Sequence, residues 1–227
     1  MNIQEMHTTF RTLGQQMGMQ LIRGILPESI DVYLNEAINE KVRNIVIGNS
    51  TTSFNDRVAI QDNSISPVNS IRTLSKRSSL TIPIIAGNID YHTIIITTQK
   101  VMFYTSFGVR YLNFKRRIGT RFIETDKLDD TRADYCNRES WDAPIVTMNI
   151  NSSDQECIEL YINNTAKTPD KLEISYIELP AIVKWHSTLS SATSCNLPIY
   201  IHNEIVELAV DKFFKSVGST TKPVTRN

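Results

Sequence analysis

The chain has 227 residues, enough to bury a sizeable core as one large domain or two smaller ones. Hydrophobic residues make up 41% and charged residues 21%, and 24 Lys and Arg are matched by 24 Asp and Glu, so no global charge draws the protein to nucleic acid or membranes. No apolar run approaches a membrane span, MNIQEMHTTF lacks the plan of a signal peptide, and Cys136, Cys157 and Cys195, widely spaced and odd in number, read as reduced thiols.

The first predicted element is a helix over residues 2–19. Ile3, Met6, Phe10, Leu13 and Met17 recur at steps of three and four, a narrow seam for a single partner, although Gly14 and Gly18 weaken its end. The seam is too short for an independent coiled coil, so the helix is expected to pack on its own domain. Arg23 and Gly24 mark a break. A second helix follows in LPESIDVYLNEAINEKVRNIVIG, opened by Pro27, with Glu28 and Asp31 near its positive end and Gly48 closing it. Ile30, Leu34, Ala37, Ile38, Lys41, Val42 and Ile45 form its periodic face.

Between residues 49 and 81 Ser, Thr and Asn dominate, hydrophobics thin out, and Arg72, Lys76 and Arg77 add positive charge. Such a stretch is too long for a routine connection. It reads either as an extended arm that orders on a neighbouring subunit or as a solvated loop. Residues 82–185 then carry seven short segments rich in β-branched and aromatic residues: HTIIITT, VMFYTSF, GVRYLNF, RFIET, PIVTMNIN, ECIELYIN and LEISYIEL. They predict an antiparallel β-sandwich or barrel.

The last helix is predicted over residues 198–217, with Pro198 in its first turn and Gly218 as its stop. Ile201, Ile205, Leu208, Ala209 and Phe213 line one face, and Val206, Val210, Phe214 and Val217 widen it beyond an ordinary stripe. At 1.5 Å per residue it spans about 28 Å, and its apolar surface needs more than one neighbour. Ile201, Ile205, Leu208, Phe213 and Phe214 are therefore the residues expected at helical packing or subunit contacts. The predicted fold class is α+β: a helical body (1–48 and 186–227), an arm or loop (49–81) and an inserted β domain (82–185).

No catalytic motif is present: no GxSxG, no phosphate-binding glycine loop, no HExxH and no closely spaced cysteine pair. His7, His92, His186 and His202 fall on different elements. Cys136 lacks the basic surroundings of a nucleophile, and Asp126, Asp129 and Asp130 lack the rest of a calcium loop. No catalytic residue, metal ligand or cofactor is assigned. Two charged stretches stand out instead. Arg110, Lys115, Arg116, Arg117 and Arg121 form a basic run without acids, and residues 124–142 carry an acidic excess that includes Asp126, Asp129, Asp130 and Asp134. Adjacent patches of opposite sign suit head-to-tail contact between copies; the basic run would equally face DNA phosphates, and a solvated hairpin accounts for both as well.

The two ends resemble a known group of proteins. ESIDVYLNEAINEKV, through Ile30-Asp31, Leu34-Asn35 and Ala37, is similar to the second helix of the small adaptor, or ring, proteins that join portal to tail in tailed bacteriophages. LPIYIHNEIVELAVDKFF, through Pro198, His202, Ile205, Val206 and Ala209, resembles their C-terminal helix, and LEISYIELPAIV with Pro180 resembles the strand before it. The chain as a whole most resembles structural proteins of crAss-like podoviruses. The likeness covers roughly the first 48 and the last 55 residues, and residues 49–170 carry none of it. It implies a non-enzymatic virion protein without cofactors, made in the bacterial cytoplasm and placed at the portal–tail junction. Copies are expected to form a homo-oligomeric ring, a dodecamer, in contact with the portal protein and other tail or ring proteins, with transient contact to packaged DNA and none to membranes. Two other readings stand beside it. One is a β-sandwich module for receptor or carbohydrate recognition on a helical anchor, with Tyr111, Tyr135 and Trp141 as its loop aromatics. The other is a small hydrolase with an unrecognised site.

Overall fold

The computed structural model describes residues 1–17, 22, 24–51, 70–83, 91–96, 100–112, 114, 116–163, 167–186, 188 and 191–218. The described residues form a mixed α+β protein with four α-helices and two four-stranded sheets, neither of which closes into a barrel. Two compact units divide the chain: Met1–Leu74 with Pro180–Asn227, and Ser75–Leu179. The β unit is thus a contiguous insertion between two terminal segments that fold together.

In the helical unit, α1 (Ile3–Gln16) starts at a capping box. Asn2 Oδ1 accepts the Glu5 N–H at 2.8 Å, and Glu5 Oε2 accepts the Asn2 N–H at 2.9 Å. The buried face is Ile3, Met6, His7, Phe10 and Gly14. Met17, expected in the seam, is the C-cap residue and is exposed, because the helix ends one turn early. Gly14 leaves room for close packing: a methyl group there would displace the Ile22 Cδ1 methyl. Helix α2 (Pro27–Thr51) runs past Gly48, which costs about 1 kcal/mol of helix propensity without forcing a stop. It buries Ile30, Asp31, Leu34, Ala37, Ile38 and Val42.

Within the β unit, one sheet has the order β1 (Ser75–Thr81), β8 (Pro169–Glu178), β3 (Val101–Tyr111), β4 (Ile118–Gly119). The other has the order β2 (His92–Ile95), β7 (Glu156–Tyr161), β6 (Ile145–Ile150), β5 (Arg121–Phe122). The main apolar core takes Phe107, Val109, Leu172 and Ile174 from the first sheet and Ile94, Val146, Ile158 and Leu160 from the second, and a smaller cluster joins Leu128, Ile145 and Tyr161. Between β5 and β6 lie a 3₁₀ turn (Thr125–Lys127) and the short helix α3 (Leu128–Ala133).

Several expectations are corrected. Residues 75–81, read as arm or loop, form β1, which pairs with β8 from Ser75↔Ile177 to Thr81↔Lys171. The serines there are compatible with a strand because its burial pattern is mostly exposed. VMFYTSF and the start of GVRYLNF are one strand, β3, since Gly108 does not turn the chain: it gives room to Arg117, whose guanidinium a Cβ at residue 108 would strike. The sheets are also not wholly antiparallel, because β5 pairs with β6 in parallel. Thr120 alone separates β4 from β5, so the chain changes sheet there, and the 22 residues 123–144 supply the long crossover that a parallel pair needs. Of the rest of the expected arm, residues 49–51 belong to α2, residues 70–74 are turn structure that buries Ile71 and Leu74, and residues 52–69 lie outside the described residues.

Helix α4 (His202–Gly218) closes the helical unit. Pro198 precedes it as the cap of a 3₁₀ turn (Ile199–Ile201) rather than inside its first α-helical turn. Ile201 is buried in that turn, and Ile205, Val206, Ala209, Val210 and Phe213 are buried along the helix.

Candidate functional site

The packing face of α4 is the first candidate surface. The helix runs antiparallel to α2, joined by Lys41–Glu204 at 2.6 Å, Lys212–Glu40 at 2.5 Å and a Tyr33–Ser216 hydroxyl contact at 2.9 Å. Lys212 holds the Glu40 carboxyl below its ordinary range. Phe213 is 7% exposed and meets Phe10 at 6.0 Å and Tyr33 at 5.4 Å between ring centroids. Ile201 and Ile205 are buried in the same unit, whereas Leu208 and Phe214 are only half-buried. Of the five residues singled out on this helix, three therefore belong to the unit's own core and two border its surface.

A polar clamp lies beside that core. Asp31 and Asn35, one turn apart on α2, grip the segment that follows the β unit in the chain. Asn35 Oδ1 accepts the Val183 N–H at 2.7 Å and Asn35 Nδ2 donates to the Val183 carbonyl at 2.9 Å, imitating a strand partner. Asp31 Oδ2 accepts the Trp185 N–H at 2.8 Å, and Oδ1 meets His7 Nε2 at 2.8 Å. His7 stacks on the Trp185 ring at 6.3 Å. His7 and Asp31 are 5% and 7% exposed, and burial lowers the His7 pKa despite the opposing pull of Asp31. The neutral imidazole donating from Nε2 fits this geometry. In the sequence His7 is a lone histidine and Asp31 a carboxylate at a helix start; only tertiary packing joins them.

The basic run does not form one open patch. Arg110 Nε pairs with Glu173 Oε1 at 2.5 Å, and Arg117 Nε approaches Glu173 Oε2 at 3.5 Å, within ion-pair reach but outside hydrogen-bond geometry. Glu173 is 6% exposed, so both arginines answer a buried carboxylate that was not among the predicted residues. The missing signal was strand register: Glu173 stands opposite Gly108 across β3 and β8. Arg121 donates to the carbonyls of Asn137 and Arg138 at 2.5 and 3.1 Å. Arg116 is exposed, and Lys115 lies outside the described residues.

On the acidic side, Asp126, Asp129 and Asp130 are exposed around α3. Asp134 is spent on its own turn, accepting Asn137 Nδ2 at 2.5 Å and the Cys136 N–H at 3.0 Å, which lowers its pKa. The two signs therefore remain separate: Arg110 and Arg117 are paired with Glu173 and Arg121 with backbone carbonyls, while Asp126, Asp129 and Asp130 face solvent.

The loop aromatics are distributed similarly. Tyr111 is buried and donates its hydroxyl to the Trp141 carbonyl at 2.7 Å. Trp141 is half-buried and packs edge-on against Phe114, with Lys167 Nζ 2.9 Å from its ring centroid. Tyr135 is 79% exposed.

Groups suited to chemistry are occupied singly. His186 contacts Thr188, and His202 meets the Leu197 carbonyl at 2.9 Å. Burial raises the thiol pKa of Cys157 and Cys195. Among the described residues no group of three His, Cys, Asp or Glu could share a metal ion, and no helix is long and apolar enough to cross a membrane. No protein-family model matches the chain, nor does any curated protein.

Proposed function

We propose that the protein is a non-enzymatic structural component of a tailed-phage virion, an adaptor whose copies form a ring between portal and tail and enclose part of the DNA conduit. The observation that carries this reading is the chain plan: terminal segments fold into one helical unit, and the β unit is inserted between them. The segments with the adaptor-like residues meet there, since Asp31 and Asn35 hold residues 183 and 185 while α4 packs on α2. The helical unit also keeps apolar side chains in solvent, among them Leu26, Val32, Ile182, Ile199 and Tyr200 at 55–76% exposure. Exposed apolar side chains of this size suit a protein that buries them on assembly.

In this mechanism the α4 core holds each protomer rigid, and separate patches meet their counterparts on neighbouring copies. A head-to-tail interface of that kind closes into a ring when the rotation between copies allows. Mass photometry and negative-stain electron microscopy, on the protein alone and mixed with its portal, test the reading. A closed ring coaxial with the portal is expected. A monomer over the full concentration range, with and without portal, refutes it.

A further inference from the structure

We propose that β1 of one copy adds to the open edge of β3 in the next, making the first sheet continuous around the assembly; this rests on the ring reading above. The sheet order β1-β8-β3-β4 leaves two free stretches among the described residues. One is the outer edge of β1, seven residues long. The other is residues 101–106 of β3: the two-residue β4 covers only Gly108 and Val109, and the Thr120 N–H reaches the Phe107 carbonyl. A sheet with a free edge on each side is a head-to-tail unit, because every added copy presents the next acceptor.

The directions agree. Strands β1 and β3 are both antiparallel to β8, hence parallel to each other. A rotation that carries one copy to the next about an axis along the strands preserves that relation.

The two edges differ in chemistry in a way that matches donor to acceptor. Natural edges are commonly protected by charge. In β1, Lys76 and Arg77 do this; both are exposed and make no ion pair among the described residues, and their like charge discourages β1 from pairing with another β1. The acceptor stretch, VMFYTS, has no charge at all. Beside it lies a groove of about 480 Å³ lined by Phe103, Tyr104, Phe107, Phe122 and Met148, with Phe122 52% exposed. Tyr104 donates its hydroxyl to Glu156 at 3.2 Å, which places an exposed carboxylate at the rim.

The strand alternation then places the donor's side chains. Lys76, Ser78 and Leu80 share one face of β1, opposite Tyr176, Ile174 and Leu172, and Leu80 packs on the core of its own unit. In a continuous sheet that face is the groove side. Lys76 thereby meets an aromatic, carboxylate-rimmed groove, where cation–π and ion-pair attraction act together.

The test is assembly of the full chain followed by mass photometry, with thermal unfolding as the check on folding. Lys76→Glu/Arg77→Glu puts acids against Glu156 and is expected to raise the half-assembly concentration by about tenfold or more while leaving the melting temperature within a few degrees. Phe122→Lys should weaken assembly likewise, and combining it with Lys76→Glu/Arg77→Glu should restore part of the loss. If the wild type assembles and the β1 variant assembles at the same concentration, the strand-addition proposal is overturned and the ring reading stands. If the wild type never assembles, alone or with portal, both fall. Carbodiimide coupling of Lys76 to Glu156 between isotopically distinct copies supports the proposal; coupling of Lys76 in assembled copies only to carboxylates of the other copy away from the β3 groove overturns it.

Discussion

The clamp on α2 gives the sharpest stability prediction, because Asn35 makes three hydrogen bonds through one short side chain. Its amide donates to the Asp31 and Val183 carbonyls at 2.8 and 2.9 Å, and its oxygen takes the Val183 N–H at 2.7 Å. Replacing it by Leu keeps the volume and removes every partner. The Asp31 carbonyl still accepts within the helix, so the cost falls on Val183, which is 1% exposed and whose N–H and carbonyl then face apolar surroundings. An unsatisfied buried group costs about 1–3 kcal/mol, so two should cost about 2–6 kcal/mol. Asn35→Asp separates the contributions: it can still accept the Val183 N–H but cannot donate, and it brings a carboxylate against a carbonyl. Its cost should equal or exceed that of Leu. Urea unfolding followed by far-ultraviolet circular dichroism reads both. An Asn35→Leu loss below about 1 kcal/mol would mean that water reaches Val183 and that the clamp contributes little.

The remaining predictions use the same logic. For His7, the folded pKa lies below the ordinary 6.5, so its contribution to stability is complete above that value and is lost as the pH falls through the folded value; His7→Gln, which keeps a donor toward Asp31, should flatten this part of the stability–pH profile measured by denaturant titration. Phe213→Ala removes a ring packed on Phe10 and Tyr33 and should cost about 3–5 kcal/mol in chemical denaturation, whereas Phe214→Ala, half-buried, should cost clearly less. Arg117→Ala takes a partner from buried Glu173 and should cost about 1–3 kcal/mol, while exposed Arg116→Ala should stay within about 0.5 kcal/mol by the same assay. Equal effects at both arginines would show that Glu173 does not depend on Arg117.

Periodicity makes the helices legible because apolar residues at steps of three and four line up on one side of a helix, whereas on a strand they would scatter over both faces. Ile30, Leu34, Ala37, Ile38 and Val42 are predicted as a face and are buried as one. Helix ends are less legible, since they depend on local exchanges: Gly48 is tolerated inside α2, and α1 stops before Met17. The β segments are visible by composition, but their pairing is not. Nothing in RFIET indicates a parallel partner; that follows from a sheet change at Thr120 which only the folded core enforces. Strand β1 escapes because SKRSSLT has one apolar residue, so an exposed edge strand resembles a loop in sequence.

The candidate surfaces are legible only in part, for a related reason. Counting charge along the chain finds where arginines are dense but not which carboxylate they answer. Glu173 is 56 residues from Arg117, and register brings it to the same sheet face as Arg110. A buried acid facing two arginines converts a sequence cluster into internal support and leaves Arg116 and the aspartates of α3 to address solvent or a partner. The last helix shows the complementary case. Its wide apolar arc suggests two partners, and within the helical unit α1 and α2 occupy most of it, through Phe10 on one side and Tyr33 and Lys41 on the other. What remains at its border is Leu208, Phe214 and Val217, half-buried and too little apolar surface to carry an intersubunit contact alone. Assembly through the β unit, by a strand edge that carries no charge and an edge strand that carries two, asks less of α4 and assigns its large apolar surface to the stability of the protomer.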